Sequence, residues 1–397
     1  MSTIQLLDAQ GQLTPYRLQG QPQARTPRGA FNRIAYSAAH VVADPRASVD
    51  PWLNAAVDWD ATLAYRHHLW SLGLGVAEAM DTAQRGMGLD WPTSQELIRR
   101  TLTEAQSVQG ARVASGCGTD HLDLDQVRTL DQVIRAYDEQ IEAIEALGGR
   151  LIIMASRALV KVAQSPADYE KVYDHILSQV RHPVILHWLG DMFDPQLSGY
   201  WGHRDLDAAT QVALGVMQHH ASKVDGIKVS LLDKDREIHL RRQLPAGVRM
   251  YTGDDFNYAE LIAGDQVGQH DVHRHSDALL GIFDAIAPAA SAALSELAAG
   301  HTDRFHAILA PTVPLSRHIF QAPTRFYKTG VVFMSWLNGH QSHFSMVGGQ
   351  QSARSASHLC QLFRLADQAH LLQDPELAMH RMKVWLEVNG VTDQSPS

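Results

Sequence analysis

Short apolar runs alternate with amphipathic stretches along most of this chain, and that alternation restricts it to parallel α/β architectures. The runs that read as strands begin near Ile34, Val76, Val113, Ile152, Ile185, Ile227, Arg249 and Ile282. A helical pattern separates most neighbours. From Leu130, apolar residues recur at Val133, Ile134, Tyr137, Ile141, Ile144 and Leu147 until Gly148-Gly149 ends the series, the period of a helix with one buried face. A second helix opens at Ser165-Pro166, an N-cap followed by a proline in the first turn, and continues through Tyr169, Val172, Tyr173, Ile176, Leu177 and Val180. Each is followed by a strand, Leu151-Ile152-Ile153-Met154 and Val184-Ile185-Leu186-His187. Eight such units over residues 31–290 suit a closed (β/α)8 TIM barrel better than an open sheet, which usually has fewer strands. Residues 1–30, rich in Gln, Gly and Pro, read as an N-terminal arm. Residues 291–397 read as a C-terminal helical region punctuated by Pro311, Pro314 and Pro323.

Of the 397 residues, 45% are hydrophobic and 19% charged, an ordinary globular balance. A net charge of -9 argues against nucleic-acid or anionic-membrane partners. The two cysteines, Cys117 and Cys360, are far apart and form no CxxC pair, so neither a disulfide framework nor a zinc knuckle is indicated. Met1 to Thr14 has neither a basic n-region nor an apolar h-region, and no apolar run approaches the roughly 20 residues of a membrane span. The expectation is a cytoplasmic protein with a small-molecule partner. Among the 22 histidines, His67-His68 and His219-His220 fall in helical stretches and read as surface residues, whereas His187 ends an apolar run, where chemistry or metal binding is plausible.

In a barrel of this kind the active site lies at the C-terminal ends of the strands. The polar residues there are Tyr36 and Ser37, Glu78, Asp81 and Thr82, Ser115 before Gly116-Cys117-Gly118, Ser156 and Arg157, His187, Lys228 with Ser230, and Gly253-Asp254-Asp255. Lys228 stands out. It interrupts the strand-like run Val224-Asp225-Gly226-Ile227-Lys228-Val229-Ser230, where alternation puts Ile227 and Val229 on one face and Gly226 and Lys228 on the other. An inward lysine is costly to bury as an ammonium. Desolvation lowers its pKa, and the neutral amine can attack a carbonyl to give a Schiff base. The other reading is an edge strand with Lys228 in solvent. Gly253-Asp254-Asp255 is open in the same way, as a turn with a helix cap or as a lining beside Lys228.

Gly226-Ile227-Lys228 followed by Gly253-Asp254-Asp255 resembles the dihydrodipicolinate synthase and N-acetylneuraminate lyase superfamily. There a lysine on the sixth barrel strand forms the Schiff base and the seventh strand ends in a Gly-Asp-Asp-like turn. Pro183-Val184-Ile185-Leu186-His187 resembles the fifth-strand segment that carries the family's proton-relay tyrosine. Val113-Ala114-Ser115-Gly116-Cys117-Gly118 resembles its glycine-containing third strand, and Gly281-Ile282-Phe283-Asp284-Ala285-Ile286-Ala287 its eighth. The likeness is collinear from about Phe31 to Asn338 and is greatest to a divergent, dihydrodipicolinate-synthase-like bacterial branch. The resemblance implies catalysis by Lys228 without a cofactor beyond the covalent imine, and assembly as a homodimer or homotetramer.

Two departures bear on substrate. His187 occupies the relay-tyrosine position, and imidazole can also shuttle a proton; the alternative is a buried histidine bonded to backbone. The family's Gly-Thr-Thr-Gly-Glu-like carboxylate cradle is replaced by Glu78-Ala79-Met80-Asp81-Thr82-Ala83-Gln84-Arg85-Gly86-Met87-Gly88. Two carboxylates there disfavour a substrate carboxylate, with Arg85 either compensating or an exposed loop residue, so a keto-sugar or similar carbonyl compound fits better than pyruvate. The expected catalytic pair is Lys228 and His187; the expected substrate contacts are Glu78, Asp81, Thr82, Ser115, Ser156, Gly253, Asp254 and Asp255. The reaction expected is a Schiff-base lyase or aldolase step, or a dehydration, on a keto-sugar or 2-oxo acid. A divalent-metal isomerase or aldolase using Glu78, His187 and Asp254 is the alternative, and a non-catalytic sugar-binding barrel a third. Asp194 to His203, a Gly-rich aromatic loop after the fifth strand, reads as a lid, a sugar-stacking surface or a subunit contact.

Overall fold

The computed structural model of the chain describes residues 2–19, 29–264 and 274–392. Thr3–Leu7 (β1) and Leu13–Arg17 (β2) pair antiparallel as a hairpin. Residues 20–28 of the expected arm lie outside the described residues. The hairpin packs on helix Ala356–Gln368 of the same chain: Arg364 donates to the Leu6 and Leu7 carbonyls, and the Tyr16 hydroxyl donates to Asp367 at 2.7 Å. Eight parallel strands then close a barrel: Ala35–Ala38 (β3), Gly75–Glu78 (β4), Val113–Cys117 (β5), Arg150–Ile153 (β6), Val184–Leu189 (β7), Val224–Ser230 (β8), Arg249–Thr252 (β9) and Asp277–Leu280 (β10). The order is β10-β3-β4-β5-β6-β7-β8-β9, sequential except for the closing pair. This is the (β/α)8 barrel expected from the alternation.

One strand differs. The run from Gly281 was read as the eighth strand, but β10 ends at Leu280 and Ile282–Ala285 is a short helix. Asp277-Ala278-Leu279-Leu280 is as apolar as Ile282-Phe283-Asp284-Ala285-Ile286, so hydrophobicity alone does not choose between them. Capping carries the decision: the Ile282 N–H donates to the Asp255 carboxylate at 2.9 Å, which fixes a helical turn at that point.

Elsewhere local chemistry and element agree. Helix Leu130–Ala146 starts at Thr129, whose hydroxyl and the side chain of Gln132 form a reciprocal capping box, and buries Val133, Tyr137, Ile141 and Ile144. Helix Pro166–Gln179 has Pro166 in its first turn and Ser165 and Asp168 as its box. Past β10 come helices Ala287–Ala298, Thr302–Leu309, Thr312–Ile319, Tyr327–Leu337, Ala356–Gln368 and Pro375–Val388. Of these, Tyr327–Leu337 returns to the mouth of the barrel. Tyr327 stacks on Phe320 with centroids 4.3 Å apart, bonds Thr82 at 2.8 Å, and meets Phe193 from the loop after β7. No helix among the described residues is long and apolar enough to cross a membrane.

Strand parity divides the core in two. Ala38, Ala77, Ala114, Ile152, Ile185, Tyr251 and Leu279 pack together inside the barrel, separate from the larger core between strands and helices. With Ala77 inward, Glu78 on the same strand points outward. It meets Arg66 of helix Trp59–Ser71 in a bidentate pair, 2.8 and 2.9 Å, with neither side chain exposed. Thr101 donates to the same carboxylate at 2.6 Å and the Ala79 N–H at 2.9 Å. Glu78 is therefore a structural anion outside the barrel, contrary to the expectation that it lines the site. Removing one partner of a fully buried pair strands the other charge, a loss of about 3–5 kcal/mol. Glu78→Ala is expected to lower the urea-unfolding free energy by that order; a loss under about 1 kcal/mol would show that the pair does not hold the second βα unit.

Candidate functional site

On β8 the inward positions are Gly226, Lys228 and Ser230. Lys228 lies level with His187 of β7 and Tyr251 of β9, above the apolar interior cluster. Only 7% of Lys228 is exposed, and among the described residues its Nζ has neither a hydrogen bond nor an ion-pair partner. Burial pushes its pKa below the ordinary lysine value, while the charges of Asp81 and Asp255 oppose that shift without cancelling it. His187 is also buried. Its Nε2 lies 3.3 Å from the Ser230 hydroxyl, and its Nδ1 has no partner. Burial, reinforced by the Lys228 charge, holds its pKa well below the usual imidazole range, so the ring is neutral near pH 7.

The Gly-Asp-Asp segment serves both of its anticipated uses, one per aspartate. Asp254 builds the turn, accepting the N–H groups of Phe256 and Asn257 at 2.8 and 3.0 Å and the Asn257 amide at 2.9 Å. Asp255 faces the lysine. Burial raises its pKa, opposed by the Ile282 N–H and the Lys228 charge. Gly253 makes room for the amine: a Cβ there would stand 2.2 Å from Ser230 Oγ, 2.7 Å from the Val229 carbonyl oxygen and 2.9 Å from Lys228 Cε.

Asp81 arrives from β4 through Ala79, held at φ 53°, and begins the short helix Asp81–Ala83 at the barrel mouth. With His187, Arg157, Asp194, Met154 and Gly118 it lines a cleft of about 210 Å³. The structure thus brings together Lys228, His187, Asp81, Gly253 and Asp255. It does not bring in the other expected contacts. Ser115 faces away from the interior, its strand neighbours Ala114 and Gly116 taking the inward positions. Ser156 caps helix Arg157–Val162, accepting the Leu159 N–H at 2.9 Å. Thr82 is bonded to Tyr327. With Glu78 held by Arg66 and Asp254 in its turn, the metal set Glu78, His187 and Asp254 does not converge, and among the described residues no three His, Cys, Asp or Glu side chains form a metal site. Arg85 is neither exposed nor free for a ligand: it is buried against Asp120, Gln140 at 2.9 Å and the Gly116 carbonyl at 3.0 Å.

The aromatic loop after β7 is not a lid. Tyr200 and Trp201 are buried, Trp201 with its ring centroid 4.6 Å from that of Tyr173, and the Tyr200 hydroxyl bonds that of Tyr173 at 2.8 Å. Only its first residue, Asp194, and nearby Leu197 reach the cleft. Sequence reasoning missed Lys328, which is 4% exposed in helix Tyr327–Leu337 beside the same mouth. Its signal was that of Lys228, a charge inside an apolar run: Tyr327-Lys328-Thr329-Gly330-Val331-Val332-Phe333.

A protein-family model described as "Protein of unknown function (DUF993)" matches residues 4–391. The chain belongs to that family. No curated protein sequence matches it. Among solved structures, the dihydrodipicolinate synthase of Aquifex aeolicus superposes with a TM-score of 0.62 at 11% identity, over 86% of this chain and 99% of that one. Dihydrodipicolinate synthase from Thermotoga maritima gives 0.61 at 14% identity, over 86% and 99%. A prophage protein of the dihydrodipicolinic acid synthase family from E. coli K12, in complex with pyruvate, gives 0.61 at 11%, over 91% and 100%. At such identities the likeness establishes the fold: this DUF993 chain has the barrel and helical extension of dihydrodipicolinate synthase structures.

The Gly253 geometry makes a direct prediction. Gly253→Ala forces Lys228 and Ser230 to move and presses on the Val229 carbonyl, so the variant is expected to fold with stability reduced by about 1–3 kcal/mol while the rate of amine-selective labelling at Lys228 changes several-fold. Unchanged labelling, read by peptide mass spectrometry, would mean that Gly253 does not set the lysine's position.

Proposed function

We propose that this chain is a Schiff-base-forming lyase or aldolase acting on a keto-sugar or 2-oxo acid-type carbonyl compound. One observation carries the reading: a desolvated, unpartnered lysine amine faces the barrel interior level with a neutral histidine. The substrate partner in this reading is a small molecule, and the assembly a homodimer or homotetramer.

The chemistry runs through Lys228. Its Nζ lone pair attacks the carbonyl carbon, the carbonyl oxygen takes a proton, and loss of that oxygen as water leaves a protonated imine. The imine is an electron sink. When a base removes the proton of the β-hydroxyl, the bond between the α and β carbons breaks, its electron pair forms an enamine, and the β carbon leaves as an aldehyde. Protonation of the enamine and hydrolysis return Lys228. Dehydration differs only in that an α proton is removed and the β-hydroxyl departs as water. His187 suits the base role, since its Nδ1 carries no protein partner and its ring is neutral. Asp255 and Asp81 are the carboxylates whose fields act on the nitrogen as its charge changes. Gly253 gives the amine its space.

Reductive trapping tests this. Incubated with 2-oxo acids and keto-sugars and then reduced with borohydride, the protein is expected to gain the mass of one reduced adduct, on Lys228; Lys228→Ala is expected to gain none. Because the neutral amine is the nucleophile and its pKa is lowered, adduct formation should rise with pH and level off below the ordinary lysine value of 10.5. His187→Phe is expected to slow turnover by about 10²–10⁴-fold with adduct formation less affected. Absence of any adduct with a compound the enzyme turns over would overturn the reading.

A further inference from the structure

Arg157 and Lys328 have no part in the imine chemistry, yet Arg157 lines the cleft and Lys328 is buried behind one of its walls. Arg157 donates through Nε to Asp194. Arg157 lines the cavity and is half-buried there, and among the described residues its Nη1 and Nη2 have no acceptor. Across from them is Gly86, also on the cleft wall. A Cβ there would lie 3.4 Å from Arg157 Nη1 and 3.9 Å from Nη2, and Gly86 is held at φ +66°, so the wall stays bare in front of the guanidinium.

Lys328 stands behind the same short loop. Its Nζ donates to the Arg325 carbonyl at 3.1 Å and to the sulfur of Met87, the residue after Gly86, at 3.3 Å. A carbonyl and a thioether are weak compensation for an ammonium that is only 4% exposed. Burial pulls its pKa down to about 8, and the cleft residues Asp81, Arg157 and Asp194 are the charges that act on it. The third carboxylate of the cleft, Asp120, is held by Arg85 and Gln140. Two cationic side chains thus flank Gly86-Met87, Arg157 on the cleft wall and Lys328 behind the loop, while His187, which is level with Lys228, lines the same cleft.

We propose that Arg157 and Lys328 form a subsite for a carboxylate or phosphate carried by the substrate away from its carbonyl. Arg157 receives the anion on its Nη groups, and Lys328 supplies positive charge from behind the Gly86-Met87 loop. This deepens the Schiff-base reading and rests on it for the orientation of the substrate. It also revises the preference for a neutral substrate. That preference counted two carboxylates at the mouth, and Glu78 is outside the barrel, neutralised by Arg66.

The test uses matched probes. Adduct formation on Lys228 is measured under limiting cyanoborohydride with 2-oxopentanedioate against 2-oxopentanoate, and with dihydroxyacetone phosphate against dihydroxyacetone. The subsite predicts that at least one anion-bearing probe is trapped tenfold or more faster than its neutral-ended counterpart, and which pair shows this identifies carboxylate or phosphate. In Arg157→Gln and Lys328→Met the ratio is expected to fall toward one, with Arg157→Lys retaining part of it. A ratio near one in the parent, or a ratio unchanged in both variants, would overturn the proposal. The subsite is separated from the imine by calorimetry on Lys228→Ala with inorganic phosphate and with glutarate. Binding there that Arg157→Gln abolishes supports the subsite even if nothing is trapped, and no binding of either anion together with no trapping contradicts it.

Discussion

A lysine amine inside a closed barrel can keep its charge only against the loss of its water, and the rest of the site follows from how that loss is managed. Lys228 has an apolar interior beneath it and, among the described residues, no acceptor on its nitrogen, so burial favours the neutral amine. The neighbours act in graded fashion. Asp81 and Asp255 favour the ammonium from a distance, and neither closes into an ion pair that would hold the proton permanently. His187, level with the lysine, gives way by remaining neutral. In the proposed imine chemistry, such a balance would limit the reorganisation needed as the nitrogen passes between amine and iminium.

The barrel supplies this balance through parity. Every second residue of a strand points inward, and around Lys228 these are Gly226 and Ser230 on its own strand, His187 level with it on β7 and Gly253 at the end of β9, with Ile185 one layer below. The same rule sends Glu78 outward to Arg66, where a carboxylate stabilises the packing of helix Trp59–Ser71 on β4. Two glutamate or aspartate positions at one strand end therefore have opposite uses, Glu78 in the wall and Asp81 at the mouth.

That contrast explains what the sequence made legible. The barrel follows from local patterns, because period, caps and turn residues are local. The same patterns leave Lys228 open between the interior and solvent and Gly253-Asp254-Asp255 open between a turn and a lining, which the closed sheet decides. Glu78 was misassigned because Gly75-Val76-Ala77-Glu78 has no hydrophobic contrast to reveal which face is inward. Ser115 failed for the same reason, in a strand of small residues. The eighth strand was placed too late because the helix at Ile282 is fixed by Asp255, a partner distant in sequence. Lys328, Tyr327 and the buried packing of Tyr200 and Trp201 depend on helices returning across the mouth, which periodicity within one element does not encode.

The central claim is that burial holds the Lys228 amine below the ordinary lysine pKa, which raises the neutral fraction able to attack a carbonyl. Competitive labelling with a limiting acylating reagent across a pH series, quantified by peptide mass spectrometry, reads that amine alone against an exposed lysine of the same chain. The account predicts that Lys228 reactivity reaches half its plateau clearly below 10.5, the ordinary lysine value, and that Asp255→Asn lowers the midpoint further by removing a charge that favours the ammonium. A midpoint at or above the ordinary value, or a rise on Asp255→Asn, would contradict it.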